Sequence, residues 1–282
     1  MSSQQISHLL SMITAAASTH ALRSSIALVF FHTDGSVFIG SGTCIRIGNQ
    51  YFIATAAHNF LRIESDDQIV IVKPDKWSRE HVPFIRRNST SGDDDDNVDV
   101  GWIELSFDVQ AELNRDFVPL ERLRPSANPI PGTFYLVLGS PAQFVSKELL
   151  ESGKLAIEPM TLLTYSPEQA TSGVSVDPRI DMLLDYSGEA RRYDSTRRIV
   201  LPEPHGMSGG SIWEITPPNP GQIWSPDGAS IVGIEKSWIR GKCQLKGTQV
   251  RHWLNLISND FPDLSKIIKD AKTVTPSNTS FR

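Results

Sequence analysis

The chain has 282 residues, 39% hydrophobic and 21% charged, with a formal net charge of −5 and only two cysteines, Cys44 and Cys243. Such a composition excludes a disordered or fibrous chain, and it lacks both the basic footprint of a nucleic-acid binder and the apolar run of about 18 residues that a membrane span needs. The length suits one large domain or two small ones, and two cysteines are too few for a secreted disulfide framework.

Residues 9–17 form an apolar stretch of about signal-peptide length, but no Lys or Arg precedes it to supply a positive n-region. Ile6, Leu9, Leu10 and Ile13 stand at helical spacing, so the expectation is an amphipathic helix within 1–22 that docks on the rest of the chain. After Arg23 the pattern changes to short apolar runs, read as strands at 26–31, 37–39, 44–47, 51–55, 69–72 and 100–105. Further strands are expected at 134–138, 162–165, 182–184, 211–215 and 230–234. Turn residues separate them at Asp34-Gly35, Gly48-Asn49, Pro131-Gly132 and Pro226-Asp227-Gly228. Many short strands with frequent turns predict an all-β sandwich or pair of barrels. A proline-rich stretch at 125–131 reads as a semi-rigid connection between two halves. The segment 145–198 is the least legible. Val250, Trp253, Leu254 and Ile257 predict a closing helix, and the residues beyond Lys272 read as a polar tail.

Three motifs carry chemistry. Thr55-Ala56-Ala57-His58 follows an apolar strand, so the strand delivers a histidine at its end. Alone, this histidine reads as a structural or surface residue before it reads as catalytic, although histidine suits acid–base work near neutral pH. Asp99 precedes Val100-Gly101-Trp102-Ile103-Glu104-Leu105. Alternation puts Val100 and Trp102 on one face of that strand and Gly101, Ile103 and Leu105 on the other. A carboxylate at the entry of a buried strand needs a donor, and an imidazole N–H is a good one. The bland alternative makes Asp99 the end of the acidic run Asp93, Asp94, Asp95 and Asp96, itself read first as a solvated loop. Gly206-Met207-Ser208-Gly209-Gly210 is either a glycine-rich hairpin turn or a turn that aims backbone N–H groups at one point around a nucleophile. Together the motifs supply a serine, a base to activate it and a third group to orient the base.

With these residues in the order His, Asp, Ser, the chain resembles the chymotrypsin/trypsin-like serine peptidase family. Gly42-Thr43 resembles the entry to its histidine strand. Thr55 to His58 resembles its T-A-A-H box, Asp99 to Leu105 its aspartate strand, and Gly206 to Gly210 its G-x-S-G-G motif. Ile231-Val232-Gly233-Ile234 resembles the strand after the nucleophile. The motifs run from about Ser41 to Ile257, with none over 145–198.

The resemblance implies two antiparallel β-barrels of the chymotrypsin-like type, here with an N-terminal and a C-terminal helix. The expected divisions are 1–22 for the helical segment and 23–125 for the first barrel, carrying His58 and Asp99. The second barrel and closing helix would take 126–272, carrying Ser208, and the tail 273–282. It further implies a peptidase acting through an acyl-enzyme, with His58, Asp99 and Ser208 catalytic and the N–H groups of Gly206 and Ser208 as oxyanion hole. No cofactor or metal is implied; the partners would be a protein or peptide substrate and a regulatory protein. Met207 stands where the animal digestive enzymes carry the aspartate that binds a new N-terminus, so that activation route is not expected. Asn59 stands where a cysteine often follows the histidine, so Cys44 and Cys243 are expected to be unbridged. Both departures fit a cytoplasmic branch, and the implied biology is a regulated effector in a microbial stress or anti-phage system. By offset from Ser208, the specificity pocket has Pro202 at its floor and Glu203 beside it, with Lys236, Ser237 and Trp238 opposite. Glu203 inside the pocket would favour Arg or Lys before the scissile bond; Trp238 filling it would leave room only for small residues. The alternative to an enzyme is a peptidase-fold binding module with little turnover.

Overall fold

Strands β1 (Ser25–Phe31) and β2 (Val37–Ile47) begin a sheet whose two faces are both buried. In the computed structural model it continues through β3 (Gln50–Thr55), β4 (Gln68–Val72), β5 (Arg86–Ser89) and β6 (Gly101–Leu105), with spatial order β4-β1-β2-β3-β6-β5 and antiparallel pairing throughout. A short β7 (Val118–Pro119) joins β2 in parallel. The structure describes residues 3–32, 34, 36–60, 68–72, 84–90, 98–125, 133–145, 157, 159–191, 198–216, 218 and 222–273. The acidic run at 93–96 and most of the expected connection at 125–131 lie outside these. On β1, Ile26, Leu28 and Phe30 pack with Cys44, Ile53 and Ile103, whereas Ala27 and Val29 pack with Val70 and Val72 on the other face. This is the period of two that a strand imposes.

The second half follows the same rule. Its strands are β8 (Phe134–Gly139), β9 (Met160–Tyr165), β10 (Asp181–Asp185), β11 (Glu189–Arg191), β12 (Arg198–Val200), β13 (Ser211–Ile215), β14 (Ala229–Ile239) and β15 (Gln244–Gln249). Six of them form a sheet in the order β10-β15-β14-β13-β8-β9, and β11 pairs with β12 as a separate ribbon. The two large sheets are curled antiparallel half-barrels, with helices near both termini.

A shared core binds the halves together. It takes Phe52 and Trp102 from the first sheet and Leu136, Trp213 and Ile231 from the second. Helix α1 (Ser3–Leu22) adds Ile13, Ala17 and Ala21 at a spacing of four, one stripe of its surface. The short α2 (Phe107–Glu112) starts at Ser106, whose hydroxyl accepts the Val109 N–H as a cap. Helices α3 (Val250–Asp260) and α4 (Pro262–Thr273) close the chain, and Trp253 and Phe261 face Phe52 edge-on at 6.2 and 5.0 Å between ring centres. Trp253 Nε1 donates to the Gly101 carbonyl (3.0 Å), and Trp102 Nε1 donates to the Asp260 carboxylate (2.7 Å). The C-terminal helix thereby fastens the start of β6, two residues after Asp99.

Several elements differ from the sequence expectation. The two short strands at 37–39 and 44–47 are one continuous strand. β5 is polar because it lies at a sheet edge. β15 reads Gln-Leu-Lys-Gly-Thr-Gln, yet every residue in it is buried; Lys246 Nζ pairs with the buried Asp181 carboxylate at 3.0 Å, and Gln249 Nε2 donates to the Pro178 carbonyl at 2.9 Å. In the segment 145–198, which carries no motif, the expected strands at 162–165 and 182–184 are β9 and β10, and β11 is an addition.

Candidate active site

β3 ends at Thr55, and a single 3₁₀ turn, Ala57–Asn59, carries the next residues across the mouth of the first half-barrel. Ala54, Ala56 and Ala57 have no exposed surface, so only small side chains fit behind His58. The His58 Nδ1–H donates to Asp99 Oδ2 at 2.6 Å, and the His58 main-chain N–H donates to Asp99 Oδ1 at 2.9 Å. One carboxylate therefore fixes both the backbone and the ring of the histidine. Asp99 is itself held from both sides, because the Thr90 hydroxyl donates to the Val98 carbonyl (2.8 Å) and accepts the Val100 N–H (3.3 Å).

Ser208 lies in the turn between β12 and β13. Met207 N–H donates to Pro204 O (3.0 Å) and Gly210 N–H to Met207 O (2.8 Å), two tight turns in succession. Gly206 and Gly209 make them possible at φ of 92° and 94°, a region that favours glycine. The first half-barrel grips this turn. Ser41 N–H and Asn59 Nδ2 both donate to the Ser208 carbonyl, at 2.8 and 3.0 Å. The Ser41 hydroxyl donates to the Gly206 carbonyl at 2.7 Å and accepts the Ser140 N–H at 2.8 Å. The residue after His58 is thus bonded to Ser208 itself, which brings the three motifs to one place. Gly209 N–H is taken by the Glu235 carbonyl (2.8 Å), whereas the N–H groups of Gly206 and Ser208 have no acceptor among the described residues.

The nucleophile–base contact expected from sequence is not among the hydrogen bonds of this structure. Ser208 Oγ donates instead to the Lys236 carbonyl at 3.3 Å. That carbonyl lies on β14, whose pairing with β15 slips between Glu235 and Ser237. The slip is a bulge that buries two consecutive charged side chains, Glu235 at 1% and Lys236 at 4% exposure. Lys236 Nζ pairs with Asp181 Oδ1 at 2.6 Å and Lys246 Nζ with Asp181 Oδ2 at 3.0 Å, so these buried charges compensate one another. Glu235 has no such ion pair among the described residues. Its burial pushes the carboxyl up to about 8, and the charge of Asp99 adds to the rise.

No protein-family model matches the chain, and no curated protein sequence matches it either. Solved structures do match. A scabies mite inactivated protease paralogue superposes with a TM-score of 0.54 at 13% identity, covering 86% of this chain and 96% of that one. HL collagenase gives 0.51 at 14% identity, covering 85% and 94%. The HtrA-type protease AlgW, solved with a tripeptide, gives 0.50 at 11% identity; the match covers 91% of this chain and 64% of that one. The chain has the chymotrypsin-like serine protease fold. At these identities the likeness shows the fold alone.

On this protease fold the sequence-selected residues divide. His58 is bonded to Asp99, and Asn59 beside it is bonded to Ser208, whose turn also carries Gly206. Glu203, Ser237 and Trp238 flank the Ser208 turn, but Glu203 is already occupied: Arg240 Nη2 pairs with it at 2.9 Å, and the His205 ring lies at 3.6 Å. The Arg240 guanidinium also lies over the Trp238 ring at 5.7 Å, which closes that rim. Met207 is fully buried in the second half-barrel with Tyr135, Val137 and Ile212, so an apolar core fills the space behind the turn. Cys44 and Cys243 are both free thiols, one buried and one exposed. Three contributors were missed from sequence. Ser41 stands directly before the recognised Gly42, Asn59 was read only as a missing cysteine, and Glu235 was passed over although it is a carboxylate directly after the apolar run 231–234. Among the described residues no cluster of three or more His, Cys, Asp or Glu is arranged to hold a metal, and no helix is long and apolar enough to cross a membrane.

Proposed function

We propose that the protein is a serine endopeptidase that cleaves peptide bonds through an acyl-enzyme. The observation that supports this most is the pair of hydrogen bonds that His58 donates to Asp99, beside a glycine-built serine turn with two N–H groups that have no acceptor among the described residues. A carboxylate on Nδ1–H leaves Nε2 as the proton acceptor. In the first step Ser208 Oγ attacks the scissile carbonyl carbon and His58 Nε2 takes its proton. The carbonyl oxygen gains a negative charge, which the N–H groups of Gly206 and Ser208 stabilise. Collapse breaks the C–N bond, and His58 gives its proton to the leaving amine. Water then attacks the ester carbonyl, His58 taking and returning one proton, and the acid product leaves Ser208 free.

Glu203, Ser237 and Trp238 are proposed to line the substrate cleft, with Arg240 as the group that a basic substrate side chain must displace. The biological role proposed with this activity is a cytoplasmic effector of a microbial stress or anti-phage system, held off by a regulatory protein partner. It rests on the resemblance and on the two free thiols, which suit a reducing compartment. A binding module with little turnover is the competing reading, favoured by the Ser208 hydroxyl that points to Lys236 rather than His58. A fluorophosphonate probe separates the two. The peptidase reading expects stoichiometric labelling of wild type and none of Ser208→Ala or His58→Ala. Failure to label wild type at any pH overturns it in favour of the binding module.

A further inference from the structure

The histidine and the serine of this site come from different half-barrels, so their separation is set by whatever crosses the join. His58 is referenced to the first sheet: it donates its main-chain N–H and its ring Nδ1–H to Asp99, which leads into β6. Ser208 belongs to the turn before β13 in the second sheet. Ser41 holds that turn from β2, with its main-chain N–H on the Ser208 carbonyl and its hydroxyl on the Gly206 carbonyl. Among the described residues a single hydrogen bond joins the His58 turn itself to the Ser208 turn, from Asn59 Nδ2 to the Ser208 carbonyl at 3.0 Å.

The surroundings of Asn59 are fitted to that bond. Nδ2 also donates to Thr55 Oγ1 at 2.9 Å, and the Thr55 hydroxyl spends its own hydrogen on the Ser41 carbonyl at 2.7 Å. A hydroxyl has one hydrogen, so Thr55 Oγ1 meets the amide as an acceptor, and the Ser208 carbonyl can only accept. Both amide hydrogens are therefore committed, and the side chain is fixed with its NH2 toward the nucleophile turn. Gly40 leaves the room: a Cβ there would lie 2.7 Å from Asn59 Nδ2 and 2.9 Å from Asn59 Cγ, closer than a real side chain packs. Aspartate, the same shape without donors, would turn lone pairs toward both oxygens.

We propose that Asn59 is a positioning residue for Ser208, a bridge that keeps nucleophile and base in one frame, a role that rests on the peptidase reading of this site. At rest the Ser208 hydroxyl donates to the Lys236 carbonyl at 3.3 Å, so it must turn to reach His58 Nε2. With the backbone of both turns held, that is a rotation of one side chain. Asn59 follows His58 in the same 3₁₀ turn, so a shift of that turn is passed to the Ser208 carbonyl and the two move together. Without the bridge they separate independently, and a misplacement of about 1 Å costs up to about 10²-fold in rate. Asn59 gives both amide hydrogens to the protein itself, so its loss acts on the reaction step rather than on substrate binding.

Asn59→Ala is expected to lower kcat on a cleaved peptide about tenfold with KM within about twofold, and to slow fluorophosphonate labelling by the same factor. The acid limb of the rate profile should keep its wild-type midpoint, since the pair of His58 and Asp99 is untouched. The melting temperature should fall by less than about 4 °C, and a larger fall assigns Asn59 to the fold and overturns the proposal. Asn59→Asp should lose at least as much activity as Asn59→Ala. Gly40→Ala tests the same bond without altering Asn59 or the triad: the new methyl displaces the amide, so the loss should match, and the double variant should be no slower than either single one. Losses that multiply in the double variant overturn the bridge, as does a raised KM with kcat kept or a shifted midpoint, because Asn59 would then act on substrate or on His58. Should Gly40→Ala not fold, the two Asn59 variants decide. A wild type that neither cleaves nor labels at any pH overturns the peptidase reading and this proposal together. An active wild type with an equally active Asn59→Ala overturns this proposal alone.

Discussion

Replacing Asp99 by asparagine changes one atom and is expected to abolish turnover through a proton rather than through the fold. The His58 main-chain N–H donates to Oδ1 at 2.9 Å and requires an acceptor there. The amide oxygen of the variant therefore takes the Oδ1 position, and its NH2 group faces Nδ1, where the carboxylate now accepts at 2.6 Å. Facing a donor, Nδ1 becomes an acceptor and the single ring proton moves to Nε2. A ring protonated at Nε2 cannot take the proton of Ser208. The lost charge-assisted hydrogen bond accounts for about 1.5–3 kcal/mol, since Asp99 is only one-fifth exposed. The wrong tautomer supplies the rest of a fall of about 10³- to 10⁴-fold in kcat/KM. Stability should change by less than about 1 kcal/mol, because shape and one of the two hydrogen bonds are kept. The assay is kcat/KM on a cleaved peptide, with fluorophosphonate labelling and a melting curve on the same samples. Activity within about tenfold of wild type would refute the tautomer argument. A collapse of the melting temperature would show that Asp99 serves the fold first.

Gly209→Ala would place a Cβ 2.1 Å from Ser41 O and 2.2 Å from Thr55 Oγ1 at a φ of 94°; we expect a loss above about 3 kcal/mol, seen as a fall of roughly 10 °C in Tm. A change under about 2 °C would show that the turn does not join the half-barrels as described. Arg240→Ala should free Glu203 and raise cleavage after Arg or Lys about tenfold in a peptide library, with the gain lost in the double variant with Glu203→Gln. Identical profiles for wild type and Arg240→Ala would remove Glu203 from the cleft. For the thiols, burial pushes Cys44 up to about 12 while Cys243 is exposed. An alkylating agent should therefore add to the native protein once and to the unfolded protein twice, and two native adducts counted by mass spectrometry would contradict the buried site.

The sequence by itself determined what local patterns encode. Short apolar runs between turn residues announced most of the strands, a stripe of Val250, Trp253, Leu254 and Ile257 announced α3, and three short motifs singled out His58, Asp99 and Ser208 as candidates. Each of these depends on neighbours within a few positions, so a single sequence carries it. β5 and β15 escaped because their residues are polar, and polarity is compatible with a strand only once an edge or a buried partner such as Asp181 is known. The site divides in the same way. That a histidine needs a carboxylate and a serine needs a base is general chemistry, legible from residue types and order. That Ser41 and Asn59 hold the Ser208 carbonyl, that Arg240 occupies Glu203, and that a bulge turns Glu235 and Lys236 both inward are facts of contact between distant segments. Only the tertiary structure decides them, because burial and unmet hydrogen bonds exist only after the two half-barrels have closed on one another.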